Sequence, residues 1–319
     1  MTDCPVTLTD IEAAAARIAG RVRRTPLIAT TPLAPLAGPP GDLDLFLKLE
    51  CLQITGSFKP RGATNCLLQL DPALVARGVI TASGGNHGLG VAYAARQAGA
   101  PSIIYLPEGT PREKADKLDA WGAEVVIEGK VWNESNNLAM ARAEEDGLAY
   151  LHAFADPRVI AGQGTVGLEI LEDAPDLDHV IVAIGGGGLI SGVATALKAL
   201  KPGIRVSGVE PVGAPALKRS LEAGELVTLP EITTAAGTLA PARSAQINLD
   251  IIARNVDEIV LVEDGEMRDA ARWLWFELGI AAELSGAAAM SALLQGRVAV
   301  EPGARVCVLV CGAGRDGLD

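Results

Sequence analysis

One lysine stands in surroundings that suit a reactive amine. Lys59 lies within the segment TGSFKPRGA, residues 55–63, between Phe58 and a proline. If apolar groups wall such a lysine, burial lowers the pKa of its ammonium, and the unprotonated amine can form a Schiff base with a carbonyl compound. An isolated GSFK is more often a surface turn, so the hypothesis of a covalent site depends on the other motifs.

A run of four glycines supplies a candidate phosphate site. Gly185, Gly186, Gly187 and Gly188 separate the apolar segment VIVAI from a helical pattern that begins at Leu189. Backbone N–H groups without side chains around them can surround an anion, and the helix dipole adds its positive end. A tight strand-to-helix turn and a dinucleotide fingerprint are the alternatives, although the run lacks the GxGxxG spacing. Combined with a reactive lysine, it favours a phosphorylated aldehyde as cofactor.

A second loop, SGGNHG, comprises Ser83, Gly84, Gly85, Asn86, His87 and a final glycine. It follows a predicted strand and precedes a predicted helix, so its amides and its serine hydroxyl can bind a carboxylate. From the residues alone, the loop is a candidate site for a free carboxylate. For the histidine we favour a structural hydrogen bond over proton transfer.

Two doubly wound α/β lobes are predicted to position these motifs, with a crevice at the carboxyl ends of their strands. In the first lobe we expect strands at residues 79–82, 102–106, 124–127 and 148–151, and helices at 87–97, 111–121 and 134–145. In the second we expect strands at 180–184, 206–209, 259–262 and 306–310, and helices at 159–171, 189–200, 214–223, 266–278 and 285–294.

Three further segments complete the prediction of secondary structure. Residues 9–19 form a helix with Thr9 as N-cap, and residues 43–50 alternate like a half-buried strand. Residues 228–248 match neither the hydrophobic spacing of a helix nor the alternation of a strand. We therefore expect a loop-rich excursion there.

Composition limits the function classes. The chain has 319 residues and a net charge of −12, which argues against nucleic acid or an anionic membrane as partner. No stretch is apolar enough to span a bilayer, and MTDCPVTLTD lacks the features of a signal peptide, so we expect a cytoplasmic protein. Five cysteines without CxxC spacing are expected to be free thiols.

Taken together, RTPL (residues 24–27), GSFK, SGGNHG, GGGG and CGAG (residues 311–314) occur in one order over nearly the whole chain. In this the chain resembles the fold-type II enzymes that use pyridoxal phosphate, specifically the threonine and serine dehydratases and serine racemase. The resemblance implies a homodimer. We expect a large cofactor-binding lobe of residues 1–50 and 152–319, and a small lobe of residues 51–151 that carries the substrate-carboxylate loop.

The resemblance also implies roles for individual residues. Asn86 is expected to hydrogen-bond the ring hydroxyl, and Cys311 to face the pyridine nitrogen as a neutral partner that favours elimination over transamination. A buried structural cysteine is the alternative. Glu283, in AAELSGAA, matches the ExSGA segment of the family, although a helix N-terminal acid is an equally simple reading. The expected cofactor-binding residues are Lys59, Phe58, Asn86, Gly185, Gly186, Gly187, Gly188, Leu189, Glu283 and Cys311, and the expected substrate-binding residues are Ser57, Ser83, Gly84, Gly85, Asn86 and His87.

The implied activity is a threonine/serine ammonia-lyase, which eliminates water from a hydroxy amino acid and releases an α-keto acid and ammonia. Lys59 would remove the Cα proton, and Lys59 or the cofactor phosphate would protonate the leaving hydroxyl. Serine racemase has a serine where this chain has Gly84, and glycine cannot carry a proton, so efficient racemisation is not expected. Elimination or β-replacement on another β-substituted amino acid, and a decayed ligand sensor, stay open as alternatives.

Two negative expectations follow from the same resemblance. Relatives bind a cation near a segment that here contains Glu210, but one carboxylate before an apolar run is a poor cation site, so no metal is predicted. The chain ends shortly after Cys311, so an appended effector-binding domain is not expected.

Overall fold

Two β-sheets carry the fold of the residues that the computed structural model describes, which are 4–30, 42–110, 112–130 and 132–318. The strands are β1 (Leu27–Ala29), β2 (Leu43–Lys48), β3 (Val79–Ala82), β4 (Ser102–Leu106), β5 (Glu124–Ile127), β6 (Ala149–Tyr150), β7 (His179–Ala183), β8 (Arg205–Pro211), β9 (Glu258–Val262) and β10 (Ala304–Leu309).

The larger sheet has the strand order β1-β2-β10-β7-β8-β9, and the smaller has the order β5-β4-β3-β6. Every pairing is parallel except that of β1 with β2. Parallel strands need crossover helices, and the central strands β3, β4 and β7 are buried along their whole length, which explains their apolar runs. The predicted α/β class with two sheets is confirmed, while the division of the chain at residues 50/51 and 151/152 stays a prediction.

Twelve helices are found in these described ranges. They are α1 (Leu8–Ile18), α2 (Lys59–Leu67), α3 (Pro72–Arg77), α4 (Asn86–Ala98), α5 (Arg112–Ala120), α6 (Trp132–Asp146), α7 (Pro157–Asp173), α8 (Gly188–Leu200), α9 (Ala216–Ala223), α10 (Gln246–Asn255), α11 (Asp264–Leu278) and α12 (Leu284–Leu294). Most predicted helices and strands are confirmed to within two residues. The predicted start of α5 at residue 111 lies outside the described residues.

The predicted N-cap of the first helix was wrong. Thr7, rather than Thr9, caps α1, because its hydroxyl accepts from Asp10 N at 3.3 Å while Thr7 N donates to the Asp10 carboxylate at 2.8 Å. This reciprocal pair is a capping box, which the sequence TLTD contains without revealing which threonine takes part. The predicted strand at residues 43–50 ends at Lys48, where a short 3-10 helix follows.

Three helices, α2, α3 and α10, were missed. In α2 every residue from Pro60 to Leu67 is buried, so the helix has no solvent-exposed face. Its sequence, KPRGATNCL, also contains poor helix formers. Packing against α4 and α7 rather than local propensity stabilises α2, and this packing determines where Lys59 lies.

A buried ion network anchors α2. The Arg61 guanidinium donates to both carboxylate oxygens of Glu50, each at 2.8 Å, and to both of Glu169, at 2.6 and 2.8 Å. Lys48 donates to Glu169 at 2.6 Å, so two positive and two negative charges balance in the core. The network links β2, α2 and α7, and Arg61 at its centre lies only two residues after Lys59.

We expect Arg61→Ala to lower the free energy of unfolding in urea by about 3–5 kcal/mol, since two buried carboxylates would lose their main partner. Arg24→Ala is the control, because Arg24 also binds two carboxylates, Glu172 and Asp173, but its side chain is 50% exposed. The Arg24→Ala control should lower the free energy of unfolding by at most about 1 kcal/mol. Equal losses in the two variants would contradict a special role for the buried network.

Candidate active site

Residues from the predicted motifs line one pocket. It lies beyond the carboxyl ends of three parallel strands, because Asn86 follows β3, Gly185 follows β7 and Cys311 follows β10. This is where α/β proteins place their ligands. The lining residues are Phe58, Lys59, Asn86, Phe154, Ala183, Gly185, Gly186, Gly187, Gly188, Leu189, Thr238, Leu239, Glu283, Ser285 and Cys311.

Lys59 begins α2 and lines this pocket. Its Nζ donates a hydrogen bond to the Ala153 carbonyl oxygen at 3.0 Å and lies 5.0 Å from the centroid of the Phe58 ring. Burial lowers the pKa of Lys59 to about 8, although negative charge on Cys311 or Glu283 would act in the opposite direction. At pH 7 about a tenth of the amine is therefore unprotonated, whereas well under a thousandth of an ordinary lysine amine is.

The four glycines form the turn between β7 and α8. The carbonyl oxygen of Gly186 accepts hydrogen bonds from Ser244 Oγ and Asn248 Nδ2, both at 2.8 Å. Because the peptide bond is trans, the N–H of Gly187 points away from that carbonyl. Gly187 caps α8 with a φ of 92°, a conformation that glycine adopts without strain. The first amides of α8 have no partner within the helix and can bind an anion.

Phe154 explains why the second glycine of the run must lack a side chain. A Cβ atom at Gly186 would overlap the Phe154 ring. That ring is held edge-on by His152, with centroids 4.6 Å apart. The aromatic wall and the glycine turn are therefore packed directly against each other.

Polar side chains also gather in the lining of the pocket. Asn86 Nδ2 donates to Glu283 Oε1 at 2.7 Å, and Thr238 Oγ1 donates to the same oxygen at 3.2 Å. The Thr238 hydroxyl also contacts the Ser285 hydroxyl. Burial raises the pKa of the Glu283 carboxyl, whereas the hydrogen bonds from Asn86 and Thr238 favour its ionised form.

Cys311 follows β10 as expected and is buried. Its Sγ donates to the Ser285 carbonyl oxygen at 3.4 Å. Burial raises the pKa of this thiol far above neutral pH, so the pocket receives a neutral group here.

The predicted substrate-binding residues lie beside the pocket rather than in its lining, apart from Asn86. Ser57 is buried, and its hydroxyl has no hydrogen-bond partner within the described ranges. Ser83, Gly84 and Gly85 are half-buried in the loop before α4, where Gly85 N donates to the Ser83 hydroxyl at 3.3 Å. Their binding of a substrate carboxylate stays a prediction.

His87 is buried at the start of α4. Its Nε2 bonds to the Leu151 carbonyl oxygen at 3.0 Å, and because a carbonyl only accepts, Nε2 carries the proton. Burial lowers the pKa of His87 to about 3, so the ring is neutral at physiological pH. These features support a structural hydrogen bond over proton transfer.

Glu210 makes hydrogen bonds within the protein. Its carboxylate accepts from the amides of Leu217 and Lys218 at 2.9 and 2.8 Å, at the start of α9. No cluster of three or more His, Cys, Asp or Glu side chains suited to a metal occurs in the described part of the chain. None of the helices described is both long and apolar enough to cross a bilayer.

Sequence reasoning missed five of the pocket residues, namely Phe154, Ala183, Thr238, Leu239 and Ser285. Two of them, Thr238 and Leu239, come from the excursion at residues 228–248, which had no periodic signal. Ser285 lies two residues beyond Glu283 within the ExSGA segment, and that proximity was an available signal.

Comparison with known proteins agrees with this geometry. Residues 18–312 match the family model described as pyridoxal-phosphate dependent enzyme. An L-threonine ammonia-lyase from Geobacter sulfurreducens is 42% identical over 305 residues, which cover 96% of this chain and 74% of that protein. The structure of maize serine racemase superposes with a TM-score of 0.91 at 35% identity, covering 97% of this chain and 94% of that one.

A second solved structure, the processed form of threonine deaminase isoform 2 from Solanum lycopersicum, gives a TM-score of 0.88 at 34% identity. The match covers 96% of this chain and 83% of that chain. The family model alone spans well over half of the sequence, and the resemblance inferred from the motifs is confirmed. The chain therefore belongs to the family of pyridoxal-phosphate dependent enzymes, and pyridoxal 5'-phosphate is its cofactor.

Proposed function

We propose that this protein is a threonine/serine ammonia-lyase, which eliminates water from a β-hydroxy amino acid to give an α-keto acid and ammonia. The observation that carries the proposal is that the Lys59 amine, with a pKa of about 8, shares one pocket with a glycine turn at a helix N-terminus. The threonine ammonia-lyases among the relatives support this choice of substrate.

The residues present fit the cofactor. Lys59 offers an unprotonated amine to an aldehyde, and Gly185–Gly188 offer backbone amides to a phosphate. Asn86 and Cys311 line the space between them with a hydrogen-bond donor and a neutral thiol. When bound, pyridoxal 5'-phosphate supplies an electron sink for the negative charge that develops at the substrate Cα.

The side chains of the pocket then provide binding and proton transfer. Lys59 Nζ accepts the Cα proton, and an amine with a pKa near 8 can also return a proton to the departing hydroxyl group. Cys311 places no negative charge beside the ring, so it does not favour a positive one there. The amides of the Ser83–Gly85 loop, at the start of α4, bind and orient the substrate carboxylate.

Racemisation is the second candidate, because serine racemases from Oryza sativa and Arabidopsis thaliana are 39% and 36% identical to this chain. Gly84 argues against it, since glycine offers no group that could deliver a proton to the face opposite Lys59. We therefore propose elimination as the main reaction, with serine as a substrate beside threonine.

Three further proposals concern the protein as a whole. The resemblance to the dehydratases supports a homodimer. Five cysteines that form no disulfide support the cytoplasm as its location, because thiols stay reduced there. The two sheets support a large lobe of residues 1–50 and 152–319 and a small lobe of residues 51–151.

A keto-acid assay over threonine, serine, 3-hydroxyaspartate and phenylserine tests the reaction. We expect the highest kcat/KM for threonine or serine. A stronger response to another of these amino acids would support the alternative substrate, and binding without keto-acid formation would support a sensor.

Replacing Lys59 by alanine should abolish keto-acid formation and also the visible absorbance of the bound cofactor, since both require the amine. Lys117→Ala is the matched control, because Lys117 lies on α5, away from the pocket lining, and should change neither signal. A fully active Lys59→Ala variant would refute the proposal.

The rate at which the apoenzyme takes up pyridoxal 5'-phosphate should depend on the pKa of Lys59. Below about pH 8 the amine is mostly protonated, so the rate should rise about tenfold per pH unit and level off above that value. The absorbance change after mixing measures this rate. A rise that continues to about pH 10.4, the ordinary lysine value, would show that the pocket leaves the amine unperturbed.

The variant Gly84→Ser tests why racemisation is disfavoured. A Cβ at Gly84 would lie 3.3 Å from Leu106 Cδ2 and 3.4 Å from Thr110 Cγ2, so a serine fits after small shifts. We expect more D-serine from L-serine than the parent protein makes, with Gly84→Ala as the control that adds a side chain without a hydroxyl. An unchanged enantiomer ratio in chiral chromatography would contradict this explanation.

A further inference from the structure

One carboxylate oxygen collects hydrogen bonds from distant parts of the chain. Glu283 Oε1, just before α12, accepts from Asn86 at the start of α4 and from Thr238 in the 3-10 turn Gly237–Leu239. The partners are 197 and 45 residues away along the chain. A site with such separated donors is built by the tertiary fold rather than by local sequence.

The hydroxyl groups in this cluster have defined directions. The Thr238 hydroxyl has one hydrogen, and because Glu283 Oε1 can only accept, Thr238 must donate to it. The Ser285 hydroxyl contacts the same Thr238 oxygen. The Thr238 methyl group also faces the substrate loop, since a Cβ at Gly85 would lie 3.3 Å from Thr238 Cγ2.

The same reasoning orients the amide of Asn86. An oxygen that accepts from Thr238 presents lone pairs, so only the NH2 group of Asn86 can face it favourably at 2.7 Å. That NH2 group has a second hydrogen. Asn86 lines the pocket, so this second N–H is available to a bound molecule.

Gly312 leaves the space that the pair needs. A Cβ at this position would collide with Glu283 Oε1 and lie 3.2 Å from Asn86 Nδ2. The Glu283–Asn86 contact therefore leaves no room for a side chain at position 312, which explains why CGAG has a glycine directly after Cys311.

We propose that Glu283 and Thr238 are positioning residues, which hold Asn86 with its NH2 group toward the pocket so that it donates to the ring oxygen of the cofactor. This inference rests on the proposed function, in which Asn86 contacts that oxygen. A donor at this place favours the ionised ring oxygen over the neutral one. Neither Glu283 nor Thr238 needs to touch the substrate for this role.

The charge of Glu283 gives a second, independent signature. An ionised Glu283 raises the pKa of Lys59, so its removal should lower the pH at which cofactor uptake levels off. A purely structural loss of packing does not predict that direction.

Four variants of the full-length protein test the proposal. Glu283→Gln keeps the size of the side chain but lets its amide turn either way, so it no longer forces the orientation of Asn86. Thr238→Val removes the hydroxyl at nearly constant shape, and Thr238→Ser keeps the hydroxyl as the matched control. Asn86→Ala removes the donor itself and shows the largest effect to be expected.

The measurements are the dissociation constant of pyridoxal 5'-phosphate and the ratio of the two absorbance bands that report ionised and neutral ring oxygen. We expect about tenfold weaker binding and a lower ionised share for Glu283→Gln, since one well-oriented hydrogen bond is lost. Thr238→Val should change both in the same direction by about threefold, and Thr238→Ser by less than about twofold.

Values for Glu283→Gln that equal those of the parent would overturn the proposal, as would equal effects of valine and serine at position 238. If Glu283→Gln does not fold, the comparison of Thr238→Val with Thr238→Ser still tests whether the Thr238 hydroxyl positions Asn86. A parent protein without a cofactor band would refute the proposed function instead, so the two failures are distinguishable. Unchanged band ratios in Asn86→Ala would show that Asn86 does not contact the ring oxygen and would also overturn the inference.

Discussion

Desolvation of one amine is the constraint on which the active site depends. In its proposed role as nucleophile and base, Lys59 is effective only if its ammonium is destabilised, and burial in the pocket lowers its pKa to about 8. The destabilised amine must nevertheless be held in place. The Ala153 carbonyl accepts its hydrogen bond, and the buried ion network around Arg61 holds the helix that Lys59 begins. The protein thus holds the backbone at the start of α2 firmly in place while it destabilises the charged form of Lys59.

The glycine turn, which we propose to bind the cofactor phosphate, shows the same division between rigid support and an open binding face. Ser244 and Asn248 bind the Gly186 carbonyl from one side, which leaves the neighbouring N–H directed elsewhere. Phe154 packs against Gly186 and excludes any side chain there. The amides proposed to bind the anion are therefore preorganised by residues outside the glycine run, and preorganisation lowers the cost of binding.

Glu283 joins elements that belong to both sheets. It precedes α12, which packs on the larger sheet, and it accepts from Asn86, which follows β3 of the smaller sheet. Thr238 connects this pair to the excursion at residues 228–248. Any relative movement of the two sheets would change these distances, so the orientation of Asn86 and the packing between the sheets are physically coupled.

Local sequence was sufficient wherever a side-chain pattern reports the environment directly. Continuous apolar runs located the strands, and residues 79–82, 102–106 and 124–127 match the observed β3, β4 and β5. Lys59, Asn86, the four glycines, Glu283 and Cys311 all lie at one pocket, as the motif order implied. Glycine turns at strand ends are readable because few other residues tolerate their geometry.

Contacts between distant residues decided the rest. Helix α2 was not predicted because it is buried on all sides and has no solvent-exposed face, while Thr238 and the start of α10 lie in a stretch without a clear period. No spacing in the chain indicates that Thr238, Glu283 and Asn86 share an oxygen. The sequence by itself determined most of the chemical groups that face the crevice. Only the tertiary structure added Thr238 and Ser285 and decided how the groups are oriented, because hydrogen-bond direction depends on partners far apart in the chain.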